Sequence, residues 1–383
     1  MRSRLLLLAL IFFGLLAVLI LLAAEFWLRH SFLGESVEPR DHAEESWYLP
    51  VRMKGGYEGV FWDIPFVTNA YGFRDEAPLD PVPPEGEFRI LSLGDSIGFG
   101  LGVPSRDRYG QVLQRELNQS PGAFRFRVVN ASGQGYSPSS YAAYLYQEGL
   151  ELNSDLVLVQ IELCNDVTDE ALLGWPPGVQ AGLPKSVRGG RYVVGWDGQL
   201  LGTWSQGPYF FEKTYTYTVL LRKSLESLYR ISPTEPFRSA RGLTYYAMGY
   251  EKFLLDQDRI DAGWRRLFGA LGGIRDLLER ERIPFLLLLI PSRFVFQKEA
   301  PEHALFARKL MDRAIEQCRS RRIPYLDPSH DLRQAGGPEL YFDFAHLTGE
   351  GNRVAGRVLA RELRRRYLGD GETSPAGGLQ SID

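Results

Sequence analysis

Ser96, Asp343 and His346 are the residues of this sequence whose types and surroundings best suit covalent chemistry. Ser96 closes the tripeptide Gly94-Asp95-Ser96, which ends an apolar run. A serine hydroxyl is a weak nucleophile until a base takes its proton, and that base is commonly a histidine oriented by a carboxylate. Both partners occur far downstream, in the pattern Asp-x-x-His. The sequence therefore predicts that Ser96 attacks, His346 acts as base and Asp343 orients the histidine.

Buried strands are expected to position these residues. Residues 88–93 form an apolar run that ends in glycines, and similar runs follow at residues 124–130 and 156–161. Because parallel strands end at one edge of a sheet, and ligands of open α/β sheets bind there, residues far apart in the chain can converge. The pieces predicted to meet at this edge are Gly94-Asp95-Ser96, residues 130–135, Asn165-Asp166 and residues 343–346.

The alternation of strands and helices predicts the fold class. It indicates a three-layer α/β/α sandwich with a mainly parallel, five-stranded sheet. The predicted strands are residues 88–93, 124–130, 156–161, 284–290 and 323–326. The predicted helices are residues 109–118, 139–148, 264–278, 301–321 and 349–368.

Composition narrows the functional classes. The 383 residues carry a formal net charge of −3, which gives no electrostatic reason to expect a nucleic-acid partner. The five histidines are scattered, and the two cysteines, Cys164 and Cys318, form no Cys-x-x-Cys motif. We therefore expect neither a metal nor a cofactor, and two free, mostly buried thiols, with a disulfide as the less favoured alternative.

The first thirty residues predict a membrane anchor. Residues 5–24 carry no charge and are long enough to cross a bilayer as a helix. Arg2 and Arg4 precede them and favour a cytoplasmic N-terminus. An uncleaved anchor at residues 1–30 is preferred over a signal peptide, whose apolar region is usually shorter. We expect a single-pass protein of the inner (cytoplasmic) membrane whose main domain faces the periplasm or the outside.

Three further segments lie outside the regular alternation. Residues 31–87 predict an N-terminal extension packed on the core, with a hairpin at residues 57–68. Residues 171–257 are too long for a bare loop in a compact domain, so they predict an inserted cap. Residues 369–383 are small and polar and predict a disordered tail. The main domain is therefore expected at residues 88–368.

The motifs together resemble the SGNH hydrolases, also called the GDSL esterase/lipase family. The resemblance covers residues 88–368 apart from the insertion, and it implies the SGNH fold. Gly-Asp-Ser is similar to the first conserved block of the family, which places Ser96 as nucleophile. Asp-x-x-His is similar to the last block, which places Asp343 and His346 as the orienting carboxylate and the base.

The same resemblance implies an oxyanion hole, the set of donors that binds the negative oxygen of the reaction intermediate. Its members would be the N–H groups of Ser96 and Gly135 and the side-chain amide of Asn165. Leu163 is a departure, since the family often has glycine at that position.

The resemblance implies a serine esterase that removes O-acyl groups, above all O-acetyl groups, from a carbohydrate or a cell-envelope glycan. Three alternatives remain open at this point. The same residues could transfer an O-acetyl group to a polysaccharide, or could serve a lipase or thioesterase. The fold could also belong to a non-catalytic scaffold that binds glycans.

Other polar residues near these motifs have simpler interpretations. Asp95 is expected to stabilise its turn by a hydrogen bond. His330 is the other candidate base, but its setting favours a structural or exposed side chain. Asp166, Asp169 and Glu170 predict a solvated helix start rather than a cation site.

Overall fold

The structure is a computed structural model. It describes residues 12–20, 22–23, 43–44, 49, 52–61, 64–119, 122–172, 186–188, 192–194, 200–203, 236–238, 244–246, 257–297 and 301–368. The predicted tail at residues 369–383 and most of the predicted insertion lie outside this part of the chain.

A five-stranded parallel sheet forms the centre of the molecule. Its strands are β1 (Glu87–Leu93), β2 (Arg125–Asn130), β3 (Leu156–Glu162), β4 (Phe285–Ile290) and β5 (Tyr325–Leu326). Their order across the sheet is β5-β4-β3-β1-β2, and every neighbouring pair is parallel. The predicted α/β class and the mainly parallel sheet are therefore confirmed, and the predicted strand ends are correct to within one or two residues.

The strands form where the sequence is apolar on both faces. All seven residues of β3 and all six of β4 are buried, so the sheet is covered on both sides. Two polar residues, Gln160 and Glu162, lie inside β3 and are also fully buried. Near-continuous apolar strands of this kind are typical of parallel sheets between helices.

Eight helices accompany the sheet in the described part of the main domain. They are α1 (Ser96–Phe99), α2 (Tyr109–Leu117), α3 (Pro138–Gln147), α4 (Leu163–Leu172), α5 (Gln257–Glu281), α6 (Pro301–Ser320), α7 (Ser329–Gln334) and α8 (Gly349–Leu363). Helix α8 packs on α2, and α5 packs on α3 and α4. Short 3₁₀ turns lie at Ser105–Asp107, Gly149–Leu152, Arg293–Phe296 and Gly337–Leu340, and a π-helical turn follows α8 at Arg364–Leu368.

Three of the eight helices, α1, α4 and α7, are absent from the predicted helices, although a helix start was expected near Asp166. Helix α1 has only four residues, too few to show a helical period. Helix α4 continues directly from β3 without a turn residue between them, so the sequence does not show where the strand ends and the helix begins.

Short strands outside the main sheet precede β1 in the chain or lie between β3 and β4. The predicted hairpin at residues 57–68 is confirmed, because Glu58–Phe61 and Ile64–Val67 pair antiparallel. The ring of Phe66 packs on Phe99 of α1, with centroids 6.3 Å apart. The other strands outside the sheet are Ala43–Glu44, Arg52–Met53, Ser186–Arg188, Tyr192–Val194, Leu200–Thr203, Pro236–Arg238 and Thr244–Tyr246.

The chain divides into two compact units, and the sheet belongs to the larger one, which comprises His42–Trp204, Phe237–Tyr245 and Leu255–Asp383. In the smaller unit, residues 12–20 and 22–23 are helical and exposed. Among the described residues, none of the helices combines the length and the apolar character that crossing a bilayer requires.

Candidate active site

The turn after β1 presents Ser96 at the first position of α1. The side chain of Asp95 caps this helix, since its Oδ1 accepts a 2.8 Å hydrogen bond from the N–H of Ile97. The helix ends after one turn at Gly100, whose φ of 78° lies in the left-handed region that suits glycine. As the first residue of the helix, Ser96 has no intrahelical acceptor for its own N–H, which leaves that group available to a ligand.

Two buried side chains from neighbouring strands hold this turn in place. The Oε1 atom of Gln160 accepts hydrogen bonds from the N–H groups of Asp95 at 3.3 Å and Gly98 at 3.1 Å. The amide of Asn130 donates to the carbonyl of Gly98 at 2.9 Å. A Cβ atom at Gly94 would lie 2.5 Å from Gln160 Oε1, so the close approach requires glycine there.

Sequence reasoning missed the role of Gln160. The available signal was its place in β3, where a polar residue interrupts an otherwise apolar run. A buried amide in such a run needs hydrogen-bond partners, but the sequence does not show that they belong to the turn at residues 94–98 that carries Ser96, called the nucleophile turn.

A tight loop before α8 presents His346. Tyr341 and Leu347 form an isolated antiparallel bridge that closes the loop. Within it, Oδ1 of Asp343 accepts hydrogen bonds from the N–H groups of Ala345 at 2.8 Å and His346 at 2.7 Å. These bonds hold the carboxylate in one orientation and leave its second oxygen directed at the imidazole.

Three side chains then form a continuous chain of hydrogen bonds. The Oδ2 atom of Asp343 lies 2.6 Å from Nδ1 of His346, and Nε2 of His346 lies 2.8 Å from Oγ of Ser96. With the proton of the neutral ring on Nδ1, that atom donates to the carboxylate and Nε2 accepts from the serine hydroxyl. The structure therefore brings the three predicted residues together in the order that nucleophilic catalysis requires.

The electrostatics of Asp343 suit its place in this chain. Burial by itself raises the pKa of the Asp343 carboxyl, but the hydrogen bond and charge of the His346 ring and the two backbone N–H groups outweigh that effect. The pKa therefore lies below its ordinary value. Asp343 is ionised at neutral pH and can stabilise a positive charge that develops on His346.

The structure describes the surroundings of one predicted oxyanion donor, Gly135, but not the side chain of another, Asn165. Gly135 is exposed, has a φ of 67°, and faces open space where a Cβ would be. Its loop is tied to the nucleophile turn by a 3.1 Å hydrogen bond from the N–H of Gly133 to the carbonyl of Gly94. Asn165 is the third residue of α4, but its side chain lies outside the description. The roles of Gly135 and Asn165 stay predictions.

Asp95 stabilises its turn by a hydrogen bond, as the sequence predicts, and it is also buried. The residue is only 1% exposed. Burial raises its pKa to about 6, against the opposing effects of the Ile97 N–H and the charge of His346.

The prediction of a solvated helix start at Asp166 and Glu170 is wrong. Both residues are 0% exposed, because α4 packs against α5. The Oδ2 atom of Asp166 accepts from the N–H of Glu162 at 2.7 Å. Glu170 accepts 2.7 Å hydrogen bonds from the hydroxyls of Ser137 and Ser139 and from the Ser139 N–H. These carboxylates bind groups of the protein instead of water, and Glu170 fastens the start of α3.

His330 is not part of this chain of hydrogen bonds. It is an exposed residue of α7, and its Nε2 atom lies 2.9 Å from Nε2 of Gln334. Among the residues that the structure describes, no group of three or more His, Cys, Asp or Glu side chains is arranged to hold a metal ion.

Comparison with known proteins gives structural matches only. No protein-family model matches the chain, and no curated protein matches it. A lipolytic protein of the G-D-S-L family from Desulfitobacterium hafniense is 12% identical, with a TM-score of 0.33 over 71% of this chain and 98% of that one. An acetylxylan esterase from Geobacillus stearothermophilus, solved as a catalytic mutant, is 13% identical, with a TM-score of 0.37 over 72% and 94% of the two chains. Another acetyl xylan esterase is 11% identical, with a TM-score of 0.40 over 72% and 100%. Similarity at this level does not assign an activity.

Proposed function

We propose that this protein is a serine ester hydrolase that uses Ser96, His346 and Asp343. The observation that carries the proposal is the unbroken chain of hydrogen bonds from the Asp343 carboxylate through His346 to the Ser96 hydroxyl. This arrangement activates a serine, and the position of Ser96 at a helix N-terminus adds a backbone donor for the developing negative charge.

The geometry supports the following reaction. His346 Nε2 takes the proton of Ser96 as its Oγ attacks the ester carbonyl carbon, and the carbonyl oxygen becomes an oxyanion bound by N–H donors. His346 then gives the proton to the leaving alcohol, which departs and leaves an acyl-serine. A water molecule, deprotonated by His346, attacks the acyl carbon. The carboxylic acid is released and the Ser96 hydroxyl is restored.

The substrate class that we propose is an O-acyl ester of a carbohydrate, with acetyl as the acyl group. The resemblance of the sequence blocks to SGNH esterases supports this choice. The substrate preference can be measured directly. The rate of acetate release from acetylated oligosaccharides is compared with the rates of hydrolysis of p-nitrophenyl esters of increasing acyl chain length. A preference for acyl chains of eight or more carbons would contradict the acetyl assignment.

A serine-directed fluorophosphonate probe tests the proposed nucleophile. We expect the wild-type protein to be labelled and Ser96→Ala to lose the labelling, since Ser96 is the one serine in the described part of the chain that is hydrogen-bonded to a histidine. Ser105→Ala is the matched control, because it removes a half-exposed hydroxyl outside the triad. Labelling that persists in a folded Ser96→Ala protein would overturn the proposal.

We also propose that the N-terminal segment anchors the protein in the inner membrane, with the main domain outside the cytoplasm. The uncharged run at residues 5–24 supports this, as do the exposed apolar side chains of residues 12–20. The full chain should stay with membranes after a carbonate wash, and a variant without residues 1–30 should be released. Retention of that shorter variant on membranes would contradict the anchor.

A further inference from the structure

Phe342 lies beside the imidazole of His346. The two ring centroids are 5.8 Å apart and the planes differ by only 6°. Phe342 is 41% exposed, whereas most of the aromatic side chains in the described main domain are buried or half-buried. A single exposed aromatic residue is common on protein surfaces, so exposure alone assigns no role.

The position of the Phe342 ring is built into the fold. The backbone N–H of Phe342 donates a 3.1 Å hydrogen bond to the carbonyl of His346, which fixes the loop on which the ring is carried. A Cβ atom at Gly102 would lie 2.3 Å from Cζ of the Phe342 ring. Gly102 also has a φ of 76°, so glycine satisfies both the backbone and the space that the ring occupies.

The chemistry of the triad decides which half of an ester can reach this ring. His346 Nε2 must come within hydrogen-bond distance of the leaving alcohol oxygen in order to protonate it. The carbonyl oxygen must instead point at backbone donors such as the N–H of Ser96. The alcohol half therefore lies on the histidine side of the scissile bond, and this is the side that Phe342 flanks.

We propose that Phe342 is the binding surface for the alcohol half of the substrate, and that this half is a sugar ring. The inference rests on the proposed esterase function. A flat, exposed aromatic ring buries the C–H face of a sugar ring and leaves the hydroxyl groups at its edge in water. Phe342 thereby determines specificity for the alcohol, and the acyl group is bound elsewhere.

Kinetics with two acetate esters test this assignment. Ethyl acetate and an acetylated methyl xylopyranoside share the acyl group and differ in the alcohol. For Phe342→Ala we expect KM for the sugar acetate to rise about tenfold with little change in kcat, as for loss of one apolar contact. The loss in kcat/KM on the sugar acetate should exceed the loss on ethyl acetate by a similar factor. Phe342→Trp should restore the low KM.

Controls separate this inference from the alternatives. Phe124→Ala removes an aromatic ring of similar exposure, 37%, that comes just before β2 and so lies at the amino ends of the strands, away from Ser96. This variant should leave kcat and KM unchanged for both esters. Should Phe342→Ala fail to fold, Phe342→Leu removes the aromatic face and gives the same comparison. Equal losses on both esters would mean that Phe342 only supports His346, and would overturn the proposal.

Two further outcomes are decisive. A changed preference among p-nitrophenyl acetate, butyrate and octanoate in Phe342→Ala would place the ring in the acyl pocket and overturn the proposal. Fluorophosphonate labelling of the wild type distinguishes failure of the esterase function from failure of the alcohol subsite alone. Without labelling, the esterase function itself fails; with labelling but no selective effect of Phe342→Ala, only the alcohol subsite fails.

Discussion

The carboxylate of Asp343 uses each of its oxygens for a different purpose. Oδ1 accepts the two backbone N–H groups of its own loop, and Oδ2 accepts from the imidazole. One oxygen therefore fixes the side chain and the other fixes the histidine. Such a division is available only to a group with two equivalent acceptors.

Replacing Asp343 by asparagine should therefore cause a large loss of catalytic rate. An amide offers one acceptor and one donor, so it cannot both accept from the backbone and accept from Nδ1 of His346. We expect Asp343→Asn to lower kcat by about 10³–10⁴-fold, the scale seen when a triad histidine is left in the wrong tautomer.

Ester hydrolysis at neutral pH measures this effect, with thermal unfolding as the check on folding. Asp107→Asn is the control, because Asp107 is a half-buried carboxylate paired with Arg353 outside the triad. A loss below tenfold in Asp343→Asn would show that Asp343 does not set the state of the histidine.

At the scale of residues, the sequence alone was sufficient to name the three members of the hydrogen-bonded chain. Their types are chemically distinctive, and Asp343 and His346 lie close together in one short segment. Gln160 could not be named in this way. Its partners are the N–H groups of Asp95 and Gly98, which are 65 and 62 residues away in the chain, and backbone groups carry no sequence signal.

The element that most directly positions the nucleophile is the short helix α1. It makes few bonds of its own, and its backbone is held from β3 by Gln160 and from β2 by Asn130. Ser96 therefore depends on neighbouring strands for its placement, which makes Gln160 a positioning residue rather than a catalytic one.

Gln160→Met tests that dependence. The substitution keeps the size of the side chain but leaves the N–H groups of Asp95 and Gly98 without their acceptor, at a cost of about 1–3 kcal/mol for each buried group. We expect kcat to fall by at least tenfold with a smaller change in KM, because the hydroxyl moves relative to His346.

Gln114→Met is the matched control. Gln114 also uses its Oε1 atom to accept from a strand N–H, that of Val128 at 2.8 Å, but it lies on α2 and does not contact the nucleophile turn. This control should lose stability and keep kcat. The same fall in kcat for both variants would show that general destabilisation, not positioning, explains the effect.

Long elements with clear periodicity were predictable from the sequence, and those defined by tertiary contacts were not. The apolar run of β4 admits few interpretations, since all six of its residues are buried. Helix α4 has a mixed sequence in which acidic residues suggest solvent. Two of them, Asp166 and Glu170, are buried because α5, nearly a hundred residues further along the chain, packs on α4.

Several acidic side chains of the described main domain are deeply buried. Asp95, Asp166 and Glu170 are each at most 1% exposed, and burial raises the pKa of all three. Each of these groups disfavours the folded state once it is ionised, so the stability of the protein should depend on pH.

The pKa of Asp95 gives the direction in which this residue makes stability depend on pH. Its pKa in the folded protein is about 6, above the ordinary value of 3.8, so the folded state binds its proton more tightly than the unfolded state does. The stabilisation that the protonated Asp95 carboxyl gives to the folded state is fully present below pH 3.8 and is lost as the pH rises through 6. The free energy of unfolding should therefore fall across this range, by on the order of 3 kcal/mol for this group.

Asp95→Asn should remove that dependence while keeping a side chain that caps helices well. We expect the variant to be more stable than wild type at pH 8 and equal to it near pH 4, as measured by denaturant unfolding at each pH. Asp312→Asn, on the exposed surface of α6, is the control. A stability difference that does not change with pH would contradict the assignment.

The hydrogen bond between Ser96 and His346 joins residues 250 positions apart. Because a polypeptide grows from its N-terminus, Ser96 is synthesised 250 residues before the histidine to which it is hydrogen-bonded. A chain that ends between these two positions would contain the serine without the imidazole that is proposed to activate it.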